Sequence, residues 1–399
     1  MHNNSKTFDE YLYAVAANDN DEIYACGLTN EPMSRSYLSG VAPGYSADYT
    51  QSLNSSGKKQ TAILYRLNSS GTEITAWTYT GQTANVPVAM GIFPNNRVLV
   101  VYQNDTIQIF SPTLTTRHYN GVIDAANVAS KISSYQSVSI YDNNTFYLGG
   151  VAGNYLPRSV IPANAPDSSY SNGEGVILRV SDATGTPGIS WGTYVGGTSR
   201  ERFTAIALTP NKSKLVFGVH TEGTGSGYPS LVNAVDNTIS GNELLVGVLN
   251  LPAPTSFAVF SYLGGSANEG SSSTISSAAL VAADNNYFYV AGNTLSTSLP
   301  GISGAAQTAH GANNRFCDQF VSRIPLNGSA SAGFRTTFSG GNDVDLVGGL
   351  VIDSRTSDVL LFGTTVSSNF PVYSPNPISP YYQANHGPFE FGTRDITYT

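Results

Sequence analysis

The sequence has little charge, little cysteine and no long apolar run. Charged residues make up 12% of the 399 residues, about half the usual share, so Ser, Thr, Asn, Gly and Tyr must cover much of the surface. The formal net charge of −8 argues against a basic face that binds the phosphate backbone of a nucleic acid. No apolar stretch approaches the roughly 20 residues that span a bilayer, so we expect no transmembrane segment.

The cysteine and histidine content excludes a zinc-ligand pattern. The only two cysteines, Cys26 and Cys317, are far apart in sequence, and the five histidines are scattered. A disulfide is one interpretation; two unpaired thiols that behave as small buried hydrophobes is the one we favour.

The weakly charged composition also bears on where the protein is found. A surface rich in Ser, Thr and Asn is typical of extracellular proteins, yet the start MHNNSKTFDE has no signal region. We therefore expect a secreted or cell-surface protein whose export signal lies outside the given chain.

The sequence is repetitive. Six segments combine an apolar stretch, a polar turn and a second apolar stretch, at 14–27, 89–102, 137–150, 205–218, 279–292 and 349–363. The step from the first small residue to the last position is 13 in five copies, and the sixth has one extra residue. Each copy predicts a β-hairpin. A third apolar run follows each hairpin, and in five units a fourth run ends in an aromatic residue followed by Gly.

Six such units predict an all-β fold, a six-bladed β-propeller of four-stranded antiparallel blades. Each small sheet is apolar on both faces, so it buries them only between two neighbours, and a closed ring leaves no end sheet exposed. We expect a single domain over 1–399, with blades at about 8–81, 82–121, 122–197, 198–265, 266–341 and 342–399.

The sixth unit lacks a fourth run, because the sequence stops at 394–399 on its third strand. We expect the last blade to be incomplete, and the protein to be part of a longer chain or assembly. Two alternatives stay open: residues 1–7 could pair beside 396–398 as the fourth strand, or a partner chain could supply it.

Several phrases carry a resemblance. YLGGSANEG, AADNNYFYVAGNTLSTSLPG and LFGTTVSSNFP resemble the β-propeller repeats of secreted bacterial and archaeal proteins known as SBBP repeats. The resemblance is best over 193–218, 262–300 and 338–371, and it is weak in the second unit. It implies a secreted or surface-displayed propeller, and it implies no particular reaction or catalytic residue.

Long insertions separate the second and third strands, at 28–60, 151–174, 219–241, 293–316 and 364–394. In a propeller these loops share one face, and loops of this length are usually functional or mobile. They are rich in tyrosine, which suits binding of a glycan or a protein partner. The ligand-binding residues that we predict are Tyr155, Tyr228, Tyr373, Tyr381 and Tyr382. The alternative is that these side chains pack the loops onto the blades.

A second predicted site is the mouth of a central channel. Counting four residues back from the small residue of each first strand gives Glu10, Asn85, Ser133, Glu201, Ile275 and Asp345. Three converging carboxylates could hold Ca²⁺, or act as acid and base because crowded like charges raise one pKa. The alternative, which we favour, is a wet channel lined by ordinary polar residues, with no cofactor or metal.

The acidic run at 18–22 lacks the spacing of a calcium-binding EF-hand loop and matches hairpin turns elsewhere, so we interpret it as a turn.

No nucleophile elbow, phosphate-binding loop or dinucleotide motif occurs. The sequence therefore favours a non-catalytic, secreted or cell-surface binding or adhesion module. Two other functions stay open: a polysaccharide hydrolase or lyase using Glu10, Glu201 and Asp345, and a structural part of a surface filament or secretion assembly. A propeller can serve all three.

Overall fold

A computed structural model describes residues 10–29, 52–53, 59–83, 85–128, 130–269, 279–311, 316–328, 333–353, 355–371 and 395–398. These residues form 24 strands and one short helix, α1 (Ala125–Val128). The strands belong to six antiparallel sheets that follow one another along the chain.

The strand bounds are as follows, sheet by sheet. Sheet 1 contains β1 (Glu10–Ala17), β2 (Ile23–Thr29), β3 (Ser52–Leu53), β4 (Lys59–Leu67) and β5 (Ile74–Thr83). Sheet 2 contains β6 (Pro87–Ile92), β7 (Val98–Tyr102), β8 (Thr106–Phe110) and β9 (Arg117–Val122). Sheet 3 contains β10 (Ile132–Ile140), β11 (Thr145–Ala152), β12 (Glu174–Ser181) and β13 (Gly188–Val195). Sheet 4 contains β14 (Arg200–Leu208), β15 (Lys214–Glu222), β16 (Glu243–Asn250) and β17 (Phe257–Leu263). Sheet 5 contains β18 (Ala279–Ala283), β19 (Tyr287–Thr294), β20 (Asp318–Pro325) and β21 (Arg335–Ser339). Sheet 6 contains β22 (Asp345–Ile352), β23 (Val359–Thr365) and β24 (Asp395–Tyr398).

Sheets 2 to 5 are four-stranded meanders in which each strand pairs with the next along the chain. Sheet 1 carries the extra short strand β3 on β4, which the sequence did not predict. Sheet 6 has three strands among the described residues, and residues 1–7, the alternative fourth strand, lie outside them. Small antiparallel meanders in series, with almost no helix, are β-propeller architecture, so the predicted all-β propeller class is confirmed.

All six predicted hairpins are present as the first two strands of their sheets. Five first strands contain a β-bulge just before the predicted small residue, as between Glu201 and Phe203. The acidic run is a turn: Asn18 Oδ1 accepts hydrogen bonds from the N–H groups of Asn20 at 3.0 Å and Glu22 at 2.9 Å. This is the side-chain mimicry of a turn for which Asn is suited.

The chain divides into two compact units. Unit 1 is Met1–Val160 with Leu178–Gly192, and unit 2 is Ile161–Ile177 with Thr193–Thr399. In unit 1, apolar residues of sheets 1 and 2 form one core cluster that includes Tyr24, Leu64, Val100 and Phe110. In unit 2, sheets 4 and 5 share a cluster that includes Val246, Val259, Val290 and Phe320.

Two strands illustrate why the sheets pack in series. Every residue of β7 and of β11 is buried, so these second strands are covered on both faces. A strand buried on both faces must lie between two apolar layers. Cys26 and Cys317 are both buried and unpaired, which agrees with the interpretation as small hydrophobes.

Candidate functional site

The structure describes two of the five predicted loop tyrosines. The Tyr155 side chain is 43% exposed. Tyr228 is partly buried: its hydroxyl lies 2.9 Å from Thr221 Oγ1 and donates to the Gly223 carbonyl at 3.2 Å. Tyr228 therefore packs its insertion onto sheet 4, as the alternative interpretation held. Tyr373, Tyr381 and Tyr382 lie outside the described residues.

Three insertions are fastened to the fourth strand of their own sheet. In sheet 4, Ser261 Oγ accepts from the N–H groups of Val235 and Asp236, both at 3.0 Å, and donates to the Asp236 carbonyl. Thr193 in sheet 3 and Thr337 in sheet 5 bind their insertions through the same hydroxyl pattern. These insertions thus occupy the outer edge of each sheet, where unpaired backbone groups would otherwise be open to other strands.

The predicted channel-mouth residues have different environments. Glu201 and Asp345 are fully buried, Asn85 is buried and Ser133 is exposed. The side chain of Glu10 and all of Ile275 lie outside the described residues. Glu201 and Asp345 are therefore not open to solvent, in contrast to the wet channel lining that the sequence suggested.

Each of these two carboxylates belongs to a different junction between neighbouring sheets. The backbone N–H of Glu201 donates to the Gly173 carbonyl at 2.9 Å, and that of Asp345 donates to the Cys317 carbonyl at 2.8 Å. The residue after each acceptor is a buried acid at the start of a third strand, Glu174 or Asp318.

A third junction repeats the arrangement between sheets 4 and 5. The Glu269 N–H donates to the Asn242 carbonyl at 2.8 Å, and Asn242 precedes the buried acid Glu243. Glu269 pairs with Thr294 as Glu201 pairs with Thr221 and Asp345 with Thr365. Unit 2 thus contains three carboxylate pairs: Glu174 with Glu201, Glu243 with Glu269, and Asp318 with Asp345.

One oxygen of most of these carboxylates is held by hydrogen bonds. Glu243 Oε1 accepts from the Ser240 N–H at 2.6 Å, and Glu269 Oε1 accepts from the hydroxyls of Thr294 at 2.9 Å and Ser296 at 2.5 Å. In the third pair, Asp318 Oδ2 accepts from the Gly311 N–H at 2.7 Å. Asp345 Oδ2 accepts from the Gly341 N–H at 2.7 Å and the Ser367 hydroxyl at 2.8 Å.

The other oxygens are buried without a hydrogen-bond partner. They are Glu174 Oε2, Glu243 Oε2, Glu269 Oε2, Asp318 Oδ1, Asp345 Oδ1 and both oxygens of Glu201. A buried anionic oxygen without a partner is energetically costly. Each pair therefore presents free oxygen atoms from both of its carboxylates.

The first glycine of each Gly-Gly pair leaves room for the carboxylates beside it. A Cβ atom on Gly264 would lie 2.5 Å from Glu243 Cγ and 2.6 Å from Glu269 Oε2. A Cβ atom on Gly340 would lie 2.5 Å from Asp318 Oδ1, and one on Gly196 would lie 2.9 Å from Glu174 Cγ. Any side chain at these positions would enter the space that the carboxylates occupy.

Burial raises the pKa of all six carboxyls. The pKa is raised to about 8 for Glu174, about 9 for Glu201, about 8 for Glu243, about 7 for Glu269 and about 7 for Asp318, and that of Asp345 is also raised. Burial is the main cause, and repulsion within a pair adds to it, as Glu174 does for Glu201.

One hydroxyl contributes to the difference in pKa between Glu201 and Glu269. Ser296, two positions after Thr294, donates to Glu269 and lowers its pKa. The position two after Thr221 is Gly223, which has no hydroxyl to donate to Glu201. Burial is the main cause of the raised pKa of Glu201, and repulsion from Glu174 adds to it.

Sequence reasoning found Glu201 and Asp345 but missed Glu269. A fixed count back from the small residue of β18 leads to Ile275, because additional residues separate Glu269 from that strand. A better signal was present: each acid follows the second glycine of a Gly-Gly pair by four residues, as Glu269 follows Gly265. Glu174, Glu243 and Asp318 could not be selected, since their role depends on contact with the next sheet.

Two buried histidines lie beside these junctions. His220 Nε2 is 2.7 Å from the Glu269 carbonyl oxygen, and His310 Nδ1 is 3.8 Å from Asp318 Oδ2. Burial lowers the pKa of both imidazoles, which favours the neutral rings. Among the described residues there is no group of three or more His, Cys, Asp or Glu suited to a metal ion, so each junction offers two acids.

An open cavity of about 680 Å³ lies at the turn ends of sheets 4 and 5, and Asn233 of the sheet 4 insertion is among the residues that line it. Its polar lining residues include Lys214, Asn286, Tyr287 and Asn327, beside the apolar Leu326. The sequence did not predict a site among these short turns. Amides, an ammonium group and an aromatic ring are groups that orient a polar ligand.

The solved structures that are similar to this chain share less than 10% of its sequence. No protein-family model matches the chain, and no curated protein matches its sequence. The solved structures that are similar include RRP9 WD40 repeats, with 7% identity, a TM-score of 0.43 and 89% of each chain covered. The Dos1 propeller has 9% identity, a TM-score of 0.41 and coverage of 88% of this chain and 89% of the other. The Cps50 (Swd1) β-propeller domain of Myceliophteria thermophila has 7% identity and a TM-score of 0.36, with 89% and 95% of the two chains covered.

Within the described part of the chain, no helix is both long and apolar enough to span a membrane.

Proposed function

We propose that this protein is a secreted or cell-surface β-propeller binding module that recognises a glycan or a protein partner through its long insertions. The observation that carries the proposal is the repeated fastening of the insertions to the fourth strands through Thr193, Ser261 and Thr337. A loop held in one conformation loses little further entropy on binding, so it suits recognition.

The proposal includes the finer architecture and the family. Each of the six sheets would be one blade of a single six-bladed domain, and the repeats would be of the SBBP type. Gly-Gly pairs followed by an acid, together with the low surface charge, support this assignment. The net charge of −8 supports a partner other than nucleic acid.

The rival enzymatic function needs carboxylates that touch a substrate. Glu201 and Asp345 are fully buried, with Gly196 and Gly341 packed against the two junctions. A polysaccharide could not reach them without opening the junction, whereas general acid–base catalysis requires hydrogen-bond distance. The described residues therefore support binding more than hydrolysis or elimination. The role as a structural part of a surface filament or secretion assembly would use the same insertions to bind further subunits.

The test is a glycan array and a pull-down of extracellular proteins with the purified chain. We expect a signal that Tyr155→Ala weakens at least several-fold, because this exposed ring would lose its contact area. Glu201→Gln should leave binding unchanged. A matched control, Tyr287→Ala in the cavity at the turn ends, separates the two surfaces. Loss of binding in Tyr287→Ala alone would place the site at the cavity, and polysaccharide turnover abolished by Glu201→Gln would establish the enzyme instead.

A further inference from the structure

The six paired carboxylates of unit 2 pose a charge problem that their protein partners do not solve. Within the described ranges, no Lys or Arg forms an ion pair with any of the six, and the His310 ring lies 3.8 Å from Asp318. Two adjacent carboxylates removed from water need a cation or a proton to neutralise them.

The carboxylates of the pairs combine held and free oxygens, which suits a hard cation. The hydroxyl and amide donors of Ser240, Ser296, Ser367 and Gly311 hold one oxygen each of Glu243, Glu269, Asp345 and Asp318, and so orient these carboxylates. The oxygens left without partners lie on both members of each pair. Hydrogen bonds that orient a carboxylate while leaving an oxygen free are how proteins prepare it as a metal ligand.

The ligand type favours Ca²⁺. The free atoms are carboxylate oxygens, with no thiolate among them, and oxygen-only sites select Ca²⁺ or Mg²⁺ over zinc and copper. Ca²⁺ accepts irregular geometry and takes further oxygens from backbone carbonyls or water, whereas Mg²⁺ demands a near-ideal octahedron. The pairs differ in length, two Glu–Glu and one Asp–Asp, which a cation tolerant of geometry accommodates.

Repetition within the chain supports a shared role. Three successive junctions keep the acid pair, a glycine packed beside it and a bond from the backbone N–H of Glu201, Glu269 or Asp345 to the preceding sheet. Unit 1 has a neutral counterpart at Asn85, whose amide donates to Gln82 Oε1 at 3.0 Å and Asn104 Oδ1 at 2.6 Å. Charge is therefore not required at this strand position, and its retention three times calls for a ligand.

We propose that Glu174 with Glu201, Glu243 with Glu269, and Asp318 with Asp345 form three Ca²⁺ sites, each formed by two acids of unit 2. The cation neutralises both carboxylates and bridges the start of a third strand to the next segment of the chain, which is the first strand of the following sheet for Glu201 and Asp345 and precedes it for Glu269. This goes beyond the proposed binding function, since it concerns the assembly of the scaffold and needs no partner.

The experiment is equilibrium dialysis of the full chain against radioactive ⁴⁵Ca²⁺ after treatment with a chelator. We expect three bound ions per chain. The variants Glu201→Gln, Glu269→Gln and Asp345→Asn should each lose one third of the bound Ca²⁺. Glu222→Gln is the matched control, because Glu222 ends β15 opposite Arg200, next to Glu201 in the sheet, but is paired with Arg202.

Two results would overturn the proposal. The first is absence of Ca²⁺ binding by the wild-type chain, which would mean that each pair shares a proton instead. The second is binding that all three variants retain in full, which would place the ions elsewhere. If a variant fails to fold, the number of Ca²⁺ ions that the wild-type chain binds still tests the proposal. So does the competition between Ca²⁺ and Mg²⁺, since a preference for Mg²⁺ would contradict the three Ca²⁺ sites. Partner binding is not measured, so failure here is distinguishable from failure of the proposed function.

Discussion

The two compact units solve the same packing task with different chemistry. Two residues before the first strand β6, unit 1 places the buried amide Asn85, which satisfies its hydrogen bonds with Gln82 and Asn104. At or before the first strands of later sheets, unit 2 places Glu201, Glu269 or Asp345 against a second buried acid. A neutral amide network is complete in itself, whereas a carboxylate pair is complete only with a proton or a cation.

The glycines beside these acids can be compared with a glycine elsewhere in the chain. The first glycine of each Gly-Gly pair in unit 2 lies against a carboxylate, so the acid and the glycine form one spatial feature. Gly188 of β13 has no atom within 4 Å of a Cβ position. Close approach therefore requires a glycine beside the acids, and it does not require one at Gly188.

The largest expected effect is a fall in stability as pH rises in the presence of a chelator. The six carboxyls have folded-state pKa values above those of the unfolded chain, for example about 9 for Glu201 and about 8 for Glu243. The stabilisation that these carboxyls give the folded state is therefore complete below their unfolded-state pKa of about 4.3. It is lost as pH rises toward their folded-state pKa values. For each carboxyl that is protonated only in the folded state, the free energy of unfolding falls by about 1.4 kcal/mol per pH unit. From pH 5 to pH 8 this amounts to about 4 kcal/mol.

Urea unfolding at a series of pH values measures this dependence. Glu201→Gln should reduce the slope, because a glutamine does not titrate. A free energy of unfolding that rises with pH over this range would contradict the assignment of raised pKa values to these acids.

The next effect concerns Gly264, the glycine packed against Glu243 and Glu269. Gly264→Ala should destabilise the protein by about 3 kcal/mol, because the methyl group would overlap both Glu243 and Glu269. Gly188→Ala is the control and should be close to neutral, since the space around it is open and its φ is not positive. Thermal and urea unfolding of the two variants measure the losses of stability. Equal losses would argue against close packing of Gly264 on the two acids.

The smallest effect exchanges the chemistry of the units. Asn85→Asp should destabilise by about 2 kcal/mol near neutral pH, because a carboxylate would face the acceptors Gln82 Oε1 and Asn104 Oδ1 instead of donating to them. The loss should shrink at low pH, where a protonated Asp can donate again. Measuring unfolding of Asn85→Asp and wild type at both pH values tests this, and Asn85→Ser, which keeps a donor, is the matched control. A pH-independent loss would mean that the amide acts through its shape alone.

Much of the architecture could be predicted because it is local. The hairpins depend on alternation and on turn residues such as Asn18, and these are properties of a few adjacent residues. The sequence also predicted three strands for the sixth unit, from the count of apolar runs. It did not predict β3, whose pairing with β4 involves two residues inside an insertion.

The site was only half predictable. Glu201 and Asp345 lie at a constant distance from their hairpins, so counting along the chain reached them, and the same count failed where residues were added before β18.

By itself, the sequence determined the strand repeats, the turns and the low charge of this protein, since each depends on residue type and short spacing. Only the tertiary structure decided that these acids are buried in pairs. Glu174 and Glu201 are separated by a strand, a turn and a further strand, and only the hydrogen bond from Glu201 to Gly173 brings them to one junction. Burial there raises the pKa of both acids, because distance from water depends on the packed sheets and not on the order of residues.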